Sequence, residues 1–133
     1  MKQLFLADLA GDSEKEIREH LIGEWQAPKS LLEDFKILIA YESVGSYGCD
    51  SAGWYLLRHK KTKELYEVHG SHCSCYGFEG QFDPEVSSLA YLKSDKFHFL
   101  KGGYDNDDQE HDAAVKHFIK AMRQPNQPQR DQL

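Results

Sequence analysis

Apolar residues recur along this chain with two different periods, and the switches between them divide it into elements. Ile17, Leu21 and Trp25 follow at helical spacing behind Ser13 and Glu16, which stand three apart as in a capping box. A first helix is predicted over about 13–22, ending at Gly23. Pro28, Ser30 and Glu33 repeat a start signal but run at once into Phe35–Glu42. There Phe35, Ile37, Ile39 and Tyr41 alternate with Lys36, Leu38, Ala40 and Glu42, so a short turn followed by a strand is expected. Residues 54–59 and 64–69 are two further strand-like runs, joined by four polar residues, Lys60 to Lys63, a connection of hairpin length. Asp83 as N-cap and Pro84 at the first helical position, with Val86, Leu89 and Leu92 behind them, predict a short helix. Phe97 and Phe99 alternate with His98 and Leu100 in a short strand that Gly102 and Gly103 stop. Val115, Phe118 and Met122 form the apolar stripe of a last helix, about 108–123, whose acidic residues gather at the N-terminal end favoured by the helix dipole.

The resulting expectation is an α+β domain: a three- to four-stranded, mostly antiparallel sheet with a central hairpin at about 54–69 and helices packed on one face. Residues 1–123 would form one domain, and 124–133, with little to bury, a disordered tail.

Composition narrows the function classes. At 133 residues the chain suits a single domain with its own core. No apolar run reaches membrane-spanning length, and the first residues meet acids too early for a signal sequence, so a cytoplasmic location and no membrane partner are expected. The net charge of -6 disfavours binding to nucleic acid, which rests on Lys and Arg neutralising phosphates. A basic protein partner suits the charge better. Three cysteines without an export signal point to reduced thiols, a metal site or redox chemistry rather than a disulfide framework.

The densest chemistry lies between His69 and Phe82, which holds two of the three cysteines and two of the seven histidines among several glycines. If Lys61 and Thr62 are central in the hairpin turn, Trp54 faces His69, and extending the ladder sets Cys49 opposite Ser74, between Cys73 and Cys75. Three thiols with His72 or His69 form a Cys3His set that zinc accepts, although no Cys-x2-Cys pair is present. The same cysteines could instead pack a glycine-rich loop as small hydrophobes, or pair as a redox couple. In a nucleophilic reading His69 is the better base, with Asp50 or Glu79 orienting it, but no residue is assigned a catalytic role. Phosphate-loop and EF-hand patterns both fail: the glycine loops lack a Gly-Lys-Ser/Thr ending, and the acidic run from Asp105 to Asp112 lacks a central glycine. Aromatic residues flank the loops, and the expected binding surface is Tyr47, Asp50, Tyr76, Phe78, Glu79 and Phe82.

From Gly70 through Glu85, with the preceding Gly48, Cys49, Asp50 and Ser51 and the hairpin, the chain resembles a group of small uncharacterised phage and prophage proteins. The distinctive run is Cys73, Ser74, Cys75, Tyr76, Gly77, then Glu79, Gly80 and Gln81, and the similarity spans about residues 45–104. The resemblance lends no site residues. It implies a protein made inside a bacterial host that acts on a host protein, including host defence. The expected function is therefore a small cytosolic accessory protein that binds a host macromolecule through rigid loops at one end of the hairpin, with no cofactor required. The alternative is a small zinc- or thiol-dependent enzyme centred on Cys49, His69, His72, Cys73 and Cys75.

Overall fold

The computed structural model describes residues 2–43, 51–72, 77–100 and 106–123, the side chains of 106–110 excepted. The chain runs β1 (Leu4–Ala7), α1 (Glu14–Glu24), α2 (Lys29–Leu32), β2 (Phe35–Ser43), β3 (Ser51–His59), β4 (Leu65–His72), β5 (Glu85–Ser87), α3 (Leu89–Leu92) and α4 (Asn106–Ala121). The α+β class holds, with a sheet of five strands in the order β1-β2-β3-β4-β5. β1 pairs with β2 in parallel and every other neighbour is antiparallel. Two strands beyond the expected set are β1, too short to show alternation, and β5, which takes residues Glu85 to Ser87 out of the predicted helix. Ser88 then caps the single turn of α3, its hydroxyl accepting from the Tyr91 N–H at 3.1 Å. Residues 96–100 form no strand: Phe97 and Phe99 are fully buried against Trp54 and Tyr41, anchored by ring packing rather than by a ladder. The expected tail, 124–133, lies outside the described residues.

The capping box of α1 forms as expected: the Ser13 hydroxyl accepts from the Glu16 N–H, and the Ser13 N–H donates to the Glu16 carboxylate. The helix does not stop at Gly23. It continues to Glu24 because Trp25, one turn beyond Leu21, belongs to the core, and Gln26 at φ 56° then turns the chain. The hairpin keeps its expected register, Trp54 opposite His69, and the ladder runs on without a slip to Ser51 opposite His72.

The helices are not confined to one face. Ile17, Leu21 and Leu32 from α1 and α2 share a core with Ile37, Tyr55, Leu57 and Val68, whereas Leu89, Leu92, Val115 and Ile119 from α3 and α4 share another with Ile39, Trp54, Leu56 and Leu65. Adjacent residues of a strand point to opposite faces, so Tyr55 and Trp54 put these two cores on opposite sides of the sheet. That leaves β2 and β3 buried on both faces, which is why their sequences alternate poorly. Among the described residues no helix is long and apolar enough to cross a membrane.

A β-bulge between Ile37 and Ile39 changes the phase of β2. Leu38 and Ile39 both join the α3/α4 side, and Ala40 returns to the side of Ile37. Simple alternation would have placed Glu42 away from Phe35 and Ile37. With the bulge it faces the α1 side, opposite Gly53.

The indole of Trp25 lies across the backbone of two strands. A Cβ at Gly70 would come within 2.4 Å of the ring and one at Gly53 within 2.7 Å, so only glycine admits the side chain there. Gly23, on the exposed side of α1, has open space around it. Urea unfolding should therefore separate the two positions: Gly70→Ala is expected to lose about 1–3 kcal/mol through overpacking, and Gly23→Ala to gain up to about 1 kcal/mol through helix propensity. Equal effects at the two sites would rule out the indole seat.

Candidate functional site

The bulge brings one carboxylate under Trp25. Glu42 is only 8% exposed, and its oxygens accept from the Trp25 indole N–H at 2.8 Å, from the Tyr55 hydroxyl, and from His20 Nε2 at 2.8 and 2.9 Å. Burying a carboxylate is costly unless it is hydrogen-bonded and paired, and three donors from α1, its C-cap and β3 meet that requirement. Each donor is placed by an element already described: His20 lies one turn before Glu24 on α1, and Tyr55 stands two residues beyond Gly53 on the same face of β3.

Phe78 completes the enclosure, stacked on Trp25 with ring centroids 4.3 Å apart and planes within 2°. Its edge contact with His72, 4.4 Å between centroids at 83°, fixes the far end of β4. Gln81 locks the same region from outside. Its amide nitrogen donates to the carbonyls of Ser71 and Gly77, and its amide oxygen accepts from the Ser71 N–H, much as a paired strand would. The Gly80 N–H donates to the Trp25 carbonyl at 3.2 Å.

A cavity of about 290 Å³ opens beside this cluster. Glu42, His20, Asp8 and Glu24 line one side. Ser43, Ser51, His72, Gly77 and Phe78 complete it. Ser43 and Ser51 flank residues 44–50, and His72 and Gly77 flank residues 73–76, so both glycine-rich segments singled out in the sequence join the fold at this one cavity. Among the described residues its lining holds three carboxylates and two imidazoles with no Lys or Arg, an environment that favours a cationic or hydrogen-donating guest.

The sequence-derived residues are distributed as follows. Tyr47, Cys49, Asp50, Cys73, Cys75 and Tyr76 lie outside the described residues. Phe78 and Phe82, expected on a binding surface, are core residues at 6% and 8% exposure, because Trp25 and the α1-side core claim their rings. Glu79 is exposed. His69 and His72 are three apart on one strand and so face opposite sides of the sheet: His72 meets Phe78, and His69 Nε2 meets Glu67 at 3.2 Å on the other side. Both cannot ligate one zinc ion, so a thiolate site could use only one of them. Among the described residues no group of three or more His, Cys, Asp and Glu side chains is placed to hold a metal. His20 and Glu42 carry no motif in the sequence and meet only through the fold. The available signal was the acid itself, closing an otherwise apolar strand.

Comparison of the chain with protein-family models, with curated proteins and with solved structures gave no match.

The Glu42 hydrogen bond raises the pKa of His20 above its ordinary value, outweighing burial, which acts the other way. Burial, reinforced by the Glu42 charge, pushes the Tyr55 phenol far above its usual range, so it stays a donor at every physiological pH. A group whose pKa is higher folded than unfolded stabilises fully below the unfolded value and loses that contribution as pH rises through the folded one. Wild-type protein should accordingly lose stability relative to His20→Gln as pH rises from about 6 to 8, starting near the ordinary histidine value. Urea unfolding across that window measures it; parallel curves for the two proteins would show that the pair is not coupled to folding.

Proposed function

We propose that this protein is a non-enzymatic binding protein that engages a host macromolecule through the end of the sheet where residues 44–50 and 73–76 join it. The observation carrying this reading is that the four residues flanking the two segments, Ser43, Ser51, His72 and Gly77, line one acidic cavity with Glu42 in its wall. A wall of three carboxylates suits a Lys or Arg side chain presented by a protein partner, and the chain's net charge of -6 would assist the approach of a basic surface. The likeness of the loop segment to phage and prophage proteins supports a bacterial cytoplasm as the setting and a host protein, including one of host defence, as the partner. Buried as they are, Phe78 and Phe82 act in this reading by holding the cavity's shape.

A second reading, a zinc- or thiol-dependent enzyme, draws on one observation: His72 lines the same cavity and directly precedes the segment carrying Cys73 and Cys75. About one equivalent of zinc in untagged protein, with stability lost on chelation, would favour it over the binding reading.

Affinity capture from bacterial lysate tests the main proposal. A partner retained by wild type should be lost with Glu24→Lys, which reverses charge at the cavity, and kept with Glu33→Lys, which makes the same change at the C-cap of α2. Capture that is absent, or equally affected by the two substitutions, would sink the proposal.

A further inference from the structure

On the opposite side of the sheet a second buried carboxylate borders a larger cavity. Glu67, 8% exposed, accepts from the Trp54 indole N–H at 2.9 Å, the Ser87 hydroxyl at 2.9 Å and His69 Nε2 at 3.2 Å. Burial alone would raise its pKa, but the hydrogen bonds from His69, Trp54 and Ser87 overcome this and hold it below the ordinary carboxylate value. The cavity, about 460 Å³, lies between β4, β5 and α3.

Three features of its rim converge. Glu85 stands directly opposite Glu67 in the β4–β5 ladder, so the two carboxylates share one face, Glu67 with His69 beside it. Glu85 makes no ion pair with any described residue. Val86 at 64% exposure and Tyr91 at 41% are two of the three exposed large hydrophobic side chains among the described residues, and both line this cavity. Lastly, β5 is the outermost strand, so among the described residues its outer backbone groups have no ladder partner.

We propose that the β5 edge and this cavity form a docking site for an extended, basic peptide segment of a partner protein. The segment would add as a strand beside β5, lay apolar side chains against Val86, and place a Lys or Arg between Glu67, Glu85 and the Tyr91 ring. Charge selects this occupant: Glu67 already holds Trp54, Ser87 and His69, whereas the exposed Glu85 beside it has no ion pair among the described residues, so a cationic side chain is favoured there over an acidic or neutral one. A three-residue strand supplies few main-chain bonds, so selectivity rests on the cationic side chain. The site lies on the opposite face from the loop-end cavity and does not depend on it.

The test is a 1H–15N NMR titration of the full chain with a seven-residue peptide of alternating Val and Lys, its Val/Glu counterpart, and N-acetyl-lysine amide as the side chain alone. The Val/Lys peptide should shift the amides of residues 85–91 and bind at least about tenfold more tightly than either other probe. Glu85→Lys should abolish that preference without lowering the melting temperature, since Glu85 is exposed and its replacement removes a like-charge pair. Four outcomes would overturn the proposal: no shift at about 1 mM peptide, a thousandfold above micromolar affinity, equal binding of the Val/Glu peptide, equal binding of the lysine derivative, or the same shifts appearing on protein concentration alone, which would assign the edge to self-association.

Discussion

An indole ring resting on two glycines holds one end of this sheet together. Trp25 closes α1, lies over Gly53 of β3 and Gly70 of β4, stacks on Phe78 and gives its N–H to Glu42 of β2. Burying a ring of this size is worth about 3–5 kcal/mol by the usual cost of truncating it, but its geometric role matters more. It joins the first helix, three strands and the segment after residue 76 at one point, directly beneath the cavity where both glycine-rich segments begin. The glycines of β3 and β4 are therefore a seat for the ring, and loop flexibility does not explain them.

The two faces of the sheet handle a buried charge in the same way. Glu42 takes an indole N–H, an imidazole and a phenol hydroxyl; Glu67 takes an indole N–H, an imidazole and a serine hydroxyl. Each carboxylate is expensive to desolvate and would destabilise the core if one donor were lost, so each fixes the side chains around it. Each also borders a cavity without filling it. The two openings lie on opposite faces of the sheet, and both proposed docking modes draw on their carboxylates.

Local signals in the sequence were reliable where a few adjacent residues decide the outcome. The capping box at Ser13 and Glu16 and the hairpin turn at Lys61 and Thr62 fall in this class, and the turn carried the register as far as Ser51 and His72. What the sequence hid depends on contacts distant along the chain. One extra residue at Leu38 reverses the facing of everything after it in β2, and with it the fate of Glu42. β1 and β5 are short and defined by their partners, and Phe97 and Phe99 alternate like a strand although they form none and pack their rings on Trp54. Helices on one face would leave the strands half-buried, whereas β2 and β3 are buried on both faces, an arrangement that only the packing of distant helices decides. In the cysteine-containing segment Phe78 and Phe82, read from the sequence as surface residues, are buried: Phe78 is the lid of the indole seat, and Gln81 holds Ser71 and Gly77.

The organising role of Trp25 is tested most directly by amide hydrogen exchange on a Trp25→Phe variant, which keeps an aromatic ring but removes the indole N–H and narrows the stacked surface. Protection should fall at residues 51–54, 69–72 and 77–82, around the seat and its lid, while the middle of the hairpin at 56–58 and 65–67 keeps its wild-type protection. Unchanged protection at the seat, or a uniform loss along both strands, would contradict the view that this one ring holds the end of the sheet in place.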